Sequence, residues 1–255
     1  MALPSEADHR DWSFEDLVRA SPDAAPLPAE FDCRPNLPPV RDQGIRPTCG
    51  AFASTVVAAV SQEDSKTPLS PEFIYYNRAN SPYPGMRGRD CMRIMKDIGV
   101  VRESAYRYGT SKKPAAEVYS SATTIKSYAR VYSVDGLKRA LVEVGPCYLI
   151  LPQWNDTATF WRSPAVAPTR NGLPAVWHAV AVVAYNEDGF ILQNSWGAEW
   201  ADDGYATFPY SDWPLMIECW AVYPHNNPSP RGELPAAGVV DVNIAVPRGP
   251  CCTLL

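Results

Sequence analysis

The sequence predicts an α+β fold made of two segregated lobes, and three observations predict it. Helix-like segments crowd the first half of the chain and strand-like segments the second, with no repeating β-α alternation between them. The chain has 255 residues, 46% apolar and 20% charged, which is enough to bury a large core in one big domain or two lobes. Its 26 prolines, about twice the usual share, fall in the connections and predict long irregular loops.

Taken in order, residues 1–30 are polar and proline-bearing and read as an arm lying on the body. Trp12 to Val18 holds a helical turn or two, with Ser13 as its cap. The stretch Asp42-Gln43-Gly44-Ile45-Arg46-Pro47-Thr48-Cys49 is a polar loop that runs straight into Ala51–Val60, an apolar segment without Gly or Pro. That segment predicts a buried helix with Cys49 in its first turn. Leu69 to Asn77 is a second helix, because Ser70 is a good cap and Pro71 suits the first helical position. Residues 80–89 form a Gly/Pro/Arg loop. Asp90 to Ile98 has helical spacing and ends at Gly99, read as a left-handed cap. Arg107 to Tyr119 reads as polar loop.

The character then changes. Thr123 to Tyr132 alternates and is rich in β-branched and aromatic residues. Val134 to Val144 is an amphipathic helix stopped by Gly145-Pro146. Cys147–Leu151, Trp177–Tyr185, Phe190–Ser195, Gly204–Phe208 and Cys219–Tyr223 follow as strands, with a long loop over 152–176. The expected organisation is an arm over 1–30, a mainly helical lobe over 31–130, a β-rich lobe over 131–223 and a flexible tail over 224–255.

Composition removes several function classes. A net charge of −5 gives no reason to expect nucleic-acid binding. No apolar run approaches 18 residues, and the N-terminus lacks the basic and apolar regions of a secretory signal. An intracellular, cytoplasmic location is therefore expected. Seven cysteines without a signal argue against a disulfide framework, and none has metal-ligand spacing, so neither metal nor organic cofactor is expected. Cys33, Cys91, Cys147 and Cys219 read as packed thiols.

Cys49 stands apart because a helix N-terminus favours thiolate over thiol. Of three histidines, only His178 lies where a strand enters a core. A lone histidine on an apolar strand is more often a core residue than a catalyst, but Asn194 changes the balance. It lies one strand on, across a tight turn, where cross-strand pairing brings its amide toward His178. An amide accepting from one imidazole nitrogen aims the other at the sulfur, and the imidazole then lowers the thiol pKa. Trp196 is placed to shield that hydrogen bond. The Gln43 amide and the Cys49 N–H form a candidate oxyanion hole.

These parts together resemble the papain-like (C1-type) cysteine peptidases. That family runs Q-G-x-C-G-S-C-W-A-F at its nucleophile; here Gln43-Gly44 precedes Cys49 at the same interval of six, and Ala51-Phe52 follows. His178 and Asn194 are sixteen apart, as in the family, within His178-Ala179-Val180 and Asn194-Ser195-Trp196-Gly197, with Trp200 and Gly204-Tyr205 beyond. Phe31-Asp32-Cys33-Arg34, Pro39-Val40, Leu69-Ser70-Pro71 and Gly145-Pro146 also have counterparts. The resemblance covers roughly residues 31–223.

It implies a two-lobe papain-like fold with an antiparallel, barrel-like β lobe. The cleft between the lobes is expected to hydrolyse peptide bonds in peptide or protein substrates through Cys49, His178 and Asn194. Val176, Trp177 and Ala179 are expected to line the specificity pocket. Gly85 and Gly88 lie where the family has its substrate-binding glycine pair. The departures are informative. Arg46 stands where the family has a loop cysteine, so the disulfide bracing that loop is absent. Gly50 replaces a tryptophan and removes a wall of the site, and only about 30 residues precede the domain, too few for the usual helical propeptide. The runner-up functions are an acyl-transferring or amide-forming enzyme on the same thioester, and a non-catalytic binding module. The terminal Cys251-Cys252-Thr253-Leu254-Leu255 loosely fits a prenylation signal at Cys252, with Cys251 open to palmitoylation, which would anchor the chain to a membrane. The sequence gives no oligomeric state.

Overall fold

The computed structural model of the protein describes residues 1–19, 25–153 and 176–225. In chain order its elements begin with a two-residue strand β1 (Ala2–Leu3), a short helix α1 (Phe14–Arg19) and strand β2 (Phe31–Asp32). Helices α2 (Cys49–Ala58) and α3 (Pro71–Tyr76), strand β3 (Met86–Arg87), and helices α4 (Gly88–Arg93) and α5 (Ala116–Ser120) follow. The second half holds β4 (Ser127–Arg130), α6 (Val134–Glu143), β5 (Cys147–Gln153), β6 (Val176–Tyr185), β7 (Gly189–Gln193), β8 (Tyr205–Pro209) and β9 (Glu218–Tyr223).

Strand β6 organises the sheet. It is long enough to take different partners along each edge. On one edge it pairs with β5 from Val176 to Val182 and then with β2 at Ala184 and Tyr185. On the other it pairs with β1 at Trp177 and, beyond, with β7, whose register slips between Val182 and Ala184. β9 continues the sheet outside β5, and β4 lies outside β9. Among the described strands, all pairings are antiparallel except that of β1 with β3. The sheet has apolar side chains on both faces because both are covered.

One face carries α2. Nine of its ten residues are buried, which suits a helix apolar all round. It packs with Met92, Met95, Tyr148, Ala179, Ala181 and Trp220 in the first core. The other face carries α1 and α6. Leu137, Ala140 and Leu141 of α6 lie one helical turn apart and bury against Leu149, Val180 and Phe190, while the outer side stays polar. The cap expected at Ser70 forms, with its Oγ accepting from Phe73 N–H and Pro71 at the first position, and Ser133 Oγ likewise caps α6 by accepting from Gly136 N–H.

Several local expectations are corrected. The arm does more than lie on the body: Ala2 is fully buried and β1 is part of the sheet, while Phe14 and Leu17 enter the second core. The 80–89 loop contains β3, and α4 starts at Gly88 and widens into a π turn at Ile94–Ile98. Gly99 ends that turn with φ 98° and ψ −170°, an extended mirror conformation open to glycine and not a left-handed helical cap. The supposed polar loop 107–119 contains the start of α5, a helix with no buried residue and so no apolar period to announce it. The 152–176 loop and the tail fall almost wholly outside the described residues, and Cys251 and Cys252 lie there too.

Candidate active site

Cys49 is the first residue of α2, and it is wholly buried. The first N–H groups of a helix lack intrahelical acceptors and concentrate positive potential there. Thr48 holds the cap position but gives no side-chain bond to the helix; its hydroxyl turns to Tyr108 Oη at 2.8 Å.

His178 enters from β6 and is buried. Its Nε2 lies 2.7 Å from Asn194 Oδ1. The backbone N–H of Ser195 donates to the same oxygen at 2.8 Å, which fixes that atom as the amide oxygen. An amide oxygen only accepts, so Nε2 carries a hydrogen and Nδ1 is left for the sulfur. The Trp196 ring lies 4.7 Å from the imidazole, centroid to centroid, and Trp200 packs edge-on behind it. This shields the His178–Asn194 bond from solvent.

Burial pushes the Cys49 thiol up, but the charge of His178, a hydrogen bond from its ring, the nearby Met1 amino group's charge and the Ala179 N–H together bring the pKa down to about 6. The other thiols show what burial does alone. Cys33 and Cys91 are pushed up to about 12, and Cys147 and Cys219 rise as well.

Gln43 is buried beside this pair. Its N–H donates to Ser195 O at 2.9 Å and its Oε1 accepts from Ser195 Oγ at 2.6 Å. Those bonds aim Nε2 the other way, where one hydrogen goes to Arg46 O at 2.7 Å. An amide nitrogen carries two, so one remains for another acceptor. The chain turns at once after Gln43, with Gly44 at φ 59°. A bridge between Asp42 and Trp196 and a bond from Gly197 N–H to Arg41 O stitch this segment to the β lobe.

The structure thus brings Cys49, His178, Asn194, Gln43, Trp196 and Ala179 together. Trp177 lies opposite Ala2, and Val176 sits at the half-exposed strand end opposite Gln153. Gly88 is buried at the start of α4, where a Cβ would come within 2.3 Å of Glu218 Oε1. Gly50 opens no gap: a Cβ there would meet Tyr148 Oη at 3.1 Å, Cys91 Sγ and Met86. The expectation of a missing wall fails because these side chains close in.

Sequence reasoning missed what fills the cleft. β1 pairs with β3 from the helical side and with β6 from the other, so the arm bridges the lobes beside Cys49 and His178. Met1 O would lie 2.8 Å from a Cβ on Gly85. Ser5 N–H and Oγ donate to the Glu218 carboxylate, each at 2.7 Å, and Arg89 N–H donates to Ser5 Oγ at 2.9 Å. Arg89 also pairs with Asp11 through Nε at 3.0 Å and through its Nη2. Nothing in a two-residue strand of Ala and Leu announces such a role. The only signal was an acidic residue, Asp11, in a polar stretch.

A two-lobe fold with a buried thiol at a helix start, an imidazole on a facing strand and an amide behind it defines a thiol-enzyme architecture. The family described as "Papain family cysteine protease" matches residues 27–223, and the chain belongs to that family. Among solved structures, xylellain, a cysteine protease from Xylella fastidiosa, superposes with a TM-score of 0.72 at 27% identity, covering 88% of this chain and 95% of that one. "Peptidase 1" of the mite Dermatophagoides pteronyssinus is 26% identical over 204 residues, 75% of this chain, and procathepsin L of Felis catus is 30% identical over 201, 70% of this chain. The chain spans 64% of the mite protein's length and 60% of the cat protein's.

Proposed function

We propose that the chain is a cysteine peptidase acting on peptide or protein substrates, with Cys49 as nucleophile, His178 as acid and base, Asn194 as its orienter, and Gln43 with the Cys49 N–H as oxyanion donors. One observation carries this reading. Among the described residues, of the four fully buried thiols and the partly buried Cys33, only the one facing His178 has its pKa lowered, to about 6.

The Cys49 thiolate adds to the scissile carbonyl carbon, and the carbonyl oxygen takes the negative charge against the free Gln43 N–H and the helix start. The C–N bond breaks as the leaving nitrogen takes the proton from the His178 imidazolium, leaving a thioester on Cys49. Water then gives a proton to His178 and attacks the thioester. The C–S bond breaks, and the acid product leaves with the thiolate restored. Asn194 holds Nε2 throughout, so the same Nδ1 faces both steps. Since β1 lies between the lobes beside this pair, a substrate enters only when the arm withdraws.

The test is alkylation of Cys49 by iodoacetamide across pH, with His178→Ala as control. A rate that rises through about pH 6 and loses that step in the variant supports the reading. A rate that climbs only near the ordinary thiol range of about 8.5, unchanged by His178→Ala, overturns it.

A further inference from the structure

Beneath the segment 43–48 lies a side chain that the chemistry above does not use. Tyr108 Oη donates to the Gln43 carbonyl oxygen at 2.8 Å. A phenol has one hydrogen and that carbonyl only accepts, so the Thr48 hydroxyl, also 2.8 Å away, is the donor to Tyr108. One oxygen atom therefore ties both ends of the loop between Gln43 and Cys49. Between those ends Arg46 O accepts from Gln43 Nε2 at 2.7 Å and from Thr48 N–H at 2.8 Å.

Tyr108 is itself held from every side. Its N–H donates to Glu103 Oε1 at 2.8 Å, and the next N–H, of Gly109, donates to Glu72 Oε2 at 2.8 Å. Glu103 pairs with Arg41 at 3.1 Å. Glu72 takes both guanidinium nitrogens of Arg46, one at 2.8 Å. The Arg46 guanidinium lies 4.8 Å from the Tyr108 ring centroid, and Phe52 meets the ring edge-on at 4.9 Å, one turn along α2 from Cys49. The phenol is thus a fixed post, and the loop hangs on it.

We propose that Tyr108 is a positioning residue for the oxyanion hole. It sets the height of the Gln43 backbone and, through Thr48, the start of α2, which are the two sources of oxyanion donors. It explains why Thr48 withholds its hydroxyl from the helix cap. The inference rests on the reading of Cys49 and Gln43 as a peptidase site. A donor aimed at developing charge loses most of its value when displaced by a fraction of an ångström, because that charge exists only in the transition state.

The experiment is Tyr108→Phe in the full chain, which keeps the ring against Phe52 and Arg46. Amide hydrogen exchange in 43–48 rises at least about tenfold while the central sheet strands stay protected. On a peptidyl anilide kcat falls about tenfold with KM within about twofold, a partial version of losing an oxyanion donor. Alkylation by iodoacetamide, which forms no oxyanion, keeps its rate and pH midpoint. In a Gln43→Ala background Tyr108→Phe lowers kcat by clearly less than in the parent, since one of the two positioned donors is already gone. Thr48→Ser retains parent behaviour and Thr48→Val moves toward Tyr108→Phe. Unchanged exchange in 43–48, alkylation falling in step with kcat, or a full penalty persisting in Gln43→Ala would each overturn the proposal. Should the parent chain hydrolyse no peptide, the peptidase reading fails, yet the exchange result still decides whether Tyr108 holds the loop.

Discussion

Cys49 and Cys91 are both fully buried thiols packed into one core, yet one is held near pKa 6 and the other near 12. Desolvation acts on both; a facing imidazole and a backbone N–H act on one. The sign follows directly. A depressed thiol pKa means thiolate is present above about pH 6 and is lost below it, so alkylation should be half-maximal near pH 6. His178→Ala removes the largest opposing charge and its hydrogen bond, lets desolvation outweigh what remains, and should move the midpoint above 9. Gln43→Ala should leave that midpoint in place and lower kcat about 10²–10³-fold, the usual cost of an oxyanion donor. Ser195→Ala frees Gln43 Oε1 and should reproduce part of that loss. Steady-state rates on a peptidyl anilide beside iodoacetamide kinetics separate the two kinds of residue.

Helix ends carry the energetics at the scale of elements. α3 is six residues long, too short to hold itself together by propagation. It persists because Ser70 accepts from Phe73 N–H at 3.0 Å and donates to Tyr106 O, while Phe73 and Ile74 are fully buried. Ser70→Ala should cost about 1–2 kcal/mol. That corresponds to roughly 2–8 °C in Tm for a chain of this size, readable by calorimetry. α1 is tied down by a different device. Glu15 Oε1 accepts from the N–H groups of Tyr132 and Ser133, each at 2.9 Å, just ahead of α6. One carboxylate thus joins the arm's helix to the β-side core at a favourable helix N-terminus.

Across the whole molecule, the arm is both part of the sheet and an obstacle to the cleft. Its anchors, Asp11 on Arg89 and Ser5 on Glu218, lie away from Cys49. Arg89→Ala should therefore loosen the arm without touching the reacting groups. The expected result is alkylation of Cys49 at least about tenfold faster above its midpoint, with the midpoint still well below the ordinary thiol range because His178 stays in place. On this reading the arm gates access in proportion to its open population. Equal rates in parent and variant would show that β1 opens freely without those anchors.

Much of this was legible in the chain. Lobe order, the caps at Ser13 and Ser70, and the strand runs follow from local periodicity and turn chemistry, which neighbours in sequence decide. Cys49, His178, Asn194 and Gln43 were legible because their intervals survive as a family pattern and their chemistry needs those side chains. The sequence by itself therefore determined the fold class and the four residues proposed to react or orient. Only the tertiary structure decided that β1 threads the cleft, that Tyr148, Cys91 and Met86 close on Gly50, and that Tyr108 bonds the 43–48 loop from sixty residues beyond Thr48. Those contacts join residues far apart along the chain through packing and single hydrogen bonds. They leave no period, cap or composition behind, so no local reading of the sequence could have found them.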